Sequence, residues 1–127
     1  MSKEIPRVII PEEKDYTTYF YFVQLYASSE PYIQFGIQGQ GGCDKIAINM
    51  LEKLGLKINI NPKNNFPELK GKNYEIVGIG LATKIRNQIF VSNVKDKKLN
   101  LGPDEEHFEK VKPFFPKDLT IKLKDSY

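Results

Sequence analysis

Four aromatic residues in a row, Tyr19, Phe20, Tyr21 and Phe22, followed by Val23, Gln24, Leu25 and Tyr26, constrain the fold more than any other part of this chain. Aromatic and β-branched side chains at this density crowd a helix and fit a pleated sheet. The turn-rich run Ala27, Ser28, Ser29, Glu30 and Pro31 comes next, and Tyr32, Ile33, Phe35 and Ile37 resume the pattern. Residues 19–38 therefore read as a β-hairpin with a loop over 27–31. In the expected register Leu25 lies opposite Ile33, Val23 opposite Phe35, Tyr21 opposite Ile37 and Tyr26 opposite Tyr32. One face is then apolar. The other carries Phe20, Phe22, Gln24, Tyr26, Tyr32, Gln34 and Gln38, with Gly36 leaving space across from Phe22. Flat rings beside amides suit the stacking and hydrogen bonding of unpaired bases. The competing expectation is that both faces are buried, under helices or in a dimer, as in any central strand that is apolar on two sides.

The rest of the chain supplies partners for that hairpin. Val8, Ile9 and Ile10 sit between Pro6 and Pro11, so residues 1–15 are expected as an edge strand or arm. Ala47, Met50, Leu51 and Leu54 share one helical face, which predicts the main helix at about 44–54, with Asp44 as N-cap and Gly55 as its terminator. Strict alternation predicts a strand over 56–61, and the Pro-, Asn- and Gly-rich 61–72 a long loop. A second hairpin is expected from 73–81 and 85–94 around Ala82, Thr83 and Lys84, with Gly78 and Gly80 marking a bulge or bend. Gly102, Pro103 and the acids after them predict a short helix at about 103–112, with proline at its first position, and Leu119, Ile121 and Leu123 a last strand. The fold class that results is α+β: a mostly antiparallel sheet built from two hairpins, packed with one main and one short helix. The run 69–78 resembles the opening strand of an OB-type barrel, a short and common pattern that carries no function across.

A chain of 127 residues fits a single domain, 1–127, with enough length to bury a core. Its net charge is +3, from 19 Lys and Arg against 16 Asp and Glu, and all the basic residues except Arg7 and Arg86 are lysines. This small basic excess permits a polyanionic partner through phosphate attraction, while the scarcity of arginine argues against base-specific readout. Cys43 is the sole cysteine, which excludes an internal disulfide and suits a reducing compartment. Residues 1–6 place charge and proline where a secretory signal needs an apolar run, and no apolar run is long enough to span a bilayer, so a cytoplasmic, non-membrane protein is expected.

No stretch matches a catalytic motif. Gly39, Gly41 and Gly42 stand between a strand and a helix, the arrangement that cradles phosphate, and they are the weak phosphate-binding candidates. The P-loop pattern fails because Cys43, Asp44 and Lys45 follow Gly42, and the dinucleotide fingerprint lacks its third glycine. Cys43 stands at a helix N-terminus, where a thiolate would be stabilised, but it has no obvious partner: the sole histidine, His107, is far away in sequence among acids, so an inert packing cysteine is expected. Asp104, Glu105, Glu106 and Glu109 surround His107, but consecutive helical acids diverge, so no metal site and no cofactor are expected. The function expected is non-enzymatic binding of single-stranded DNA or RNA. Phe20, Phe22, Gln24, Tyr26, Tyr32 and Gln34 form the platform, and Lys84 and Arg86 hold phosphates. The alternative is a small interaction or inhibitor protein, a homodimer included, that buries the same aromatic face.

Overall fold

A computed structural model describes residues 6–12, 17–39 and 41–124. The strands are β1 (Val8–Ile9), β2 (Thr17–Ala27), β3 (Glu30–Ile37), β4 (Ile60–Asn61), β5 (Phe66–Pro67), β6 (Tyr74–Ile85), β7 (Gln88–Ser92) and β8 (Thr120–Lys124). The helices are α1 (Cys43–Lys53) and α2 (Glu105–Val111), the latter continued by a 3-10 turn at Lys112–Phe114. Six strands form one sheet in the order β1-β3-β2-β6-β7-β8, and β4 and β5 form a separate two-stranded sheet. The outermost pairs, β1 with β3 and β7 with β8, are parallel and the rest of the large sheet is antiparallel. The fold is α+β with a mostly antiparallel, curled sheet, as the sequence pattern predicts. Of the expected arm over 1–15, only 6–12 are described, and they contain β1.

The first hairpin differs from its expected register by one residue. Leu25 pairs with Tyr32, Val23 with Gln34, Phe22 with Phe35 and Ala27 with Glu30. The loop is thus only Ser28 and Ser29, whose φ angles of 52° and 67° are both left-handed. That is the primed two-residue turn whose twist matches a hairpin. Serine is not its usual residue, and Pro31 disguised the start of β3. Ala27 and Glu30, closing the turn, are a hydrogen-bonded pair, so Tyr26 and Pro31 form a non-bonded pair and the proline nitrogen faces the outer edge. There β1 begins to bond only at Ile33, whose N–H donates to the Arg7 carbonyl at 2.8 Å. A one-residue slip reverses the faces of a strand. Tyr32, Gln34 and Gly36 accordingly join Leu25, Val23 and Tyr21, while Ile33 and Phe35 join Phe22.

Two cores result, one on each side of β2. On one face Val23 and Leu25 pack with Ile76 and Ile79 under Ile46, Ala47, Met50 and Leu51 of α1. On the other, Phe20 and Phe22 pack with Ile33, Phe35, Ala82, Ile89 and Val91 under Phe108 and Val111 of α2 and Phe115 beyond it. Helix α1 starts one residue before its predicted span: Gly42 is its N-cap and Asp44 sits in the first turn. Its end follows expectation, with Gly55 at φ 70° and Leu56 N–H donating to the Leu51 carbonyl at 2.9 Å, a Schellman closure. In α2 the N-cap is Asp104, whose carboxylate accepts from His107 N–H at 2.9 Å, so Pro103 precedes the cap rather than occupying the first helical position.

The second hairpin turns later than predicted. Strand β6 runs through Ala82, Thr83 and Lys84, and the turn is Arg86 and Asn87, with Arg86 at φ 54°. The irregularity foreshadowed by Gly78 is present, since Gln24 pairs with Gly78 but Leu25 with Ile76. Within the predicted 56–61 strand only Ile60–Asn61 pairs, and the predicted long loop contains β5. The 69–78 run feeds the middle of an open sheet, with a helix on either side of it.

Candidate nucleic-acid interface

The residues expected to form the stacking platform are distributed over both cores. Phe20 and Phe22 are fully buried. Phe22 meets Phe108 edge-on at 5.6 Å and Phe35 at 5.8 Å, and Phe20 meets Phe35 at 5.6 Å. No base reaches these rings while α2 is in place. The glycine beside Phe22 is Gly80, not Gly36, and the space above Gly36 is taken by the Ile46 side chain.

Gln24 is also fully buried, and its carboxamide is used completely. It donates to the Asp104 carbonyl at 3.0 Å and accepts from Asp104 N–H at 2.9 Å, pairing with α2's cap as a strand would. Its Nε2 also lies 3.2 Å from His107 Nδ1, while His107 Nε2 lies 2.9 Å from the Leu25 carbonyl. A carbonyl only accepts, so Nε2 carries the proton and Nδ1 accepts from Gln24. Burial, the leading cause, lowers the His107 pKa from its ordinary value, which agrees with this neutral tautomer. Gly78 is required here, because a Cβ on it would strike the Gln24 carboxamide oxygen and the Asp104 backbone.

The other candidates separate. Tyr26, half-buried, sets its ring edge-on to His107 at 5.0 Å and carries the Lys110 ammonium 5.2 Å above it. Tyr32 is on the opposite face with the Arg7 guanidinium 5.0 Å from its ring, and Arg7 pairs with Glu30 at 2.7 Å. Gln34 is buried and donates to Asn49 Oδ1 at 3.0 Å. Lys84 lies near the end of β6 and Arg86 in the β6–β7 turn, at the far end of the sheet from Tyr26 and Tyr32. Gly39 and Gly41 adopt left-handed φ angles of 96° and 121°, and Gly42 caps α1. Cys43 is no activated nucleophile: desolvation, the main cause, raises its pKa to about 11, and its thiol points at the Phe22 carbonyl, 3.8 Å away. It packs on the α1 side of the sheet and His107 on the α2 side, so the two form no dyad. Among the described residues no cluster of His, Cys, Asp or Glu is arranged to hold a metal ion. No described helix is long and apolar enough to cross a membrane.

An accessible aromatic surface does exist, on the face that sequence reasoning assigned to the core. Tyr19 is 58% exposed and stands in a cross-strand row with Thr83, Phe90 and Lys122. Tyr21 and Leu81 form a neighbouring pair, and a cavity of about 290 Å³ between them, Val94 and Lys95 indents the surface. Helix α1 covers the β3–β2 side of this face and leaves the β6–β7 side open. The signal was present in the alternation of Tyr19 and Tyr21 with Phe20 and Phe22: the hydroxyl-bearing rings face outward and the purely apolar rings inward. Comparison with known protein families and with curated proteins finds no match.

Proposed function

We propose that this chain is a non-enzymatic module that binds single-stranded nucleic acid across the row Tyr19, Thr83, Phe90 and Lys122. The observation that carries the reading is the exposure of Tyr19, in one row with Phe90 and next to Tyr21, on the part of the sheet face that α1 leaves open. Tyr19 and Phe90 lie two strands apart, about 10 Å at ordinary strand spacing, so each ring meets a different base. Such a stack contributes about 1–3 kcal/mol per base. Lys122 at one end of the row and Lys95 beside the cavity supply phosphate contacts, in keeping with the net charge of +3. The lone Cys43 suits a reducing compartment, and a cytoplasmic location belongs to the proposal.

The test is fluorescence anisotropy with labelled single-stranded and duplex oligonucleotides at two salt concentrations. Single strands bind more tightly, affinity falls steeply with salt, and Tyr19→Ala or Phe90→Ala weakens binding about 5- to 150-fold, the equivalent of one lost stack. Tyr19→Phe keeps most of it. Binding that ignores both alanine substitutions refutes a role for this face. A second reading is docking of another protein copy, favoured by Leu81 and Val94, which are 40% and 50% exposed on the same surface. A dimer in a sizing column that Leu81→Lys converts to monomer selects that reading over the first.

A further inference from the structure

The cavity of about 520 Å³ at the opposite end of the sheet has a different chemistry. Three segments meet there: the Ser28–Ser29 turn, the chain from Lys70 to Glu75, and the last turn of α2 with Lys110. Ser28 N–H donates to the Asn73 carbonyl at 3.3 Å, which fastens the turn to the 70–75 segment, and a backbone β-bridge between Lys70 and Glu75 closes that segment on itself. Three ammonium groups, those of Lys70, Lys72 and Lys110, line the cleft against one carboxylate, that of Glu75. Among the described residues neither Lys70 nor Lys72 has an ion-pair partner. Among the described residues the only acid paired with Lys110 is the exposed Glu106, at 3.4 Å.

The cleft is also preorganised on its inner side. Lys110 lies over the Tyr26 ring, the ring rests on His107, and His107 is held by Gln24 and the Leu25 carbonyl. The Lys110 ammonium thus sits on a ring that the buried Gln24–His107 pair backs, which reduces the ordering cost of binding. Ser28 and Ser29 occupy left-handed positions that asparagine and glycine fill at lower energy, and their side chains stand at the rim.

We propose that this cleft is a binding site for an oligophosphate group on a ligand of nucleotide size. Lys70, Lys72 and Lys110 converge on the phosphate oxygens, the hydroxyls of Ser28 and Ser29 donate to them, and the Tyr26 ring holds Lys110 in place. A volume of about 520 Å³ lies within the range of small-molecule sites and exceeds what two phosphates fill. The site is separate from the Tyr19 face and stands whether or not that face binds nucleic acid.

Isothermal titration with inorganic pyrophosphate and, separately, with ADP tests the inference. One saturable site is expected for each, weakening as salt screens the charges. Lys70→Gln, Lys72→Gln and Lys110→Gln should each weaken pyrophosphate binding about 3- to 10-fold, and Lys97→Gln, away from the cleft, should leave it unchanged. These lysines are exposed, so the variants fold, and a matching thermal transition verifies this. ADP binding more tightly than pyrophosphate assigns the site to nucleotides, and equal affinities assign it to free oligophosphates; either supports the phosphate site. Absence of saturable binding by about 5 mM, or equal weakening by Lys97→Gln, overturns it.

Discussion

Lowering the pH from 7.5 to 5.0 should destabilise this protein through His107 alone, because that residue is the chain's single histidine and is buried in its neutral form. The folded-state pKa is lowered, chiefly by desolvation, from the unfolded value near 6.5. Asp104 and Lys110 of α2, the Tyr26 ring of β2 and the Leu25 and Tyr32 carbonyls face the imidazole, and the carbonyls and Asp104 only partly offset burial. Well above pH 6.5 neither state takes the proton and the native stability is complete. As the pH falls through 6.5 the unfolded chain gains a proton that the native state refuses, so stability declines until the folded pKa is reached. The slope is at most about 1.4 kcal/mol per pH unit, which bounds the integrated loss by pH 5.0 at about 2 kcal/mol. That is a sizeable fraction of the about 5–15 kcal/mol that holds a domain of this size together. The structural reason is that Nδ1 must accept from Gln24, and a proton there would set two donors against each other unless Gln24 turned and released the Asp104 backbone. Urea titrations at pH 7.5, 6.0 and 5.0 on the wild type and His107→Asn measure it. The variant starts less stable but loses the slope in this window. A wild-type stability that is flat with pH, or a variant with the same slope, would refute the reasoning.

Two further outcomes follow from the turn and the thiol. Replacing Ser28 and Ser29 with Asn and Gly relieves two left-handed serines at some entropic cost, and should raise stability by about 1 kcal/mol in urea titration; a loss would mean the turn is not of the primed type. With its pKa raised to about 11, Cys43 is about one part in a thousand ionised at pH 8, so a disulfide reagent should label it slowly in the native protein and rapidly in urea. Fast native labelling would contradict the burial that shields the thiol.

The elements were readable where a single physical preference dominates. The apolar face of α1, Gly55 as its terminator, the aromatic strands and the bulge near Gly78 all follow from local pattern. The first turn was read too long and the second misplaced, since Ser28, Ser29 and Arg86 are not residues that announce a positive φ. Lengthening the first loop from two residues to five shifted the pairing by one, and a period of two turned that small error into a complete exchange of faces on β3. Gln24 read as a base-binding amide and His107 as one residue of an acidic helix start, because nothing local reveals that residues so far apart in the chain satisfy one another.

From its amino-acid pattern alone, then, this chain is committed to an α+β domain with an aromatic hairpin at its centre, flanked by two amphipathic helices. Strand β2 is apolar on both faces, so its own residues do not say which side is to be covered fully and which only in part. Tertiary packing makes that choice: α2 closes over Phe20 and Phe22 along with Gln24, whereas α1 reaches across only part of the other face and leaves Tyr19 in solvent. Exposure depends on what lies above a residue, and that is set by contacts between segments distant in sequence.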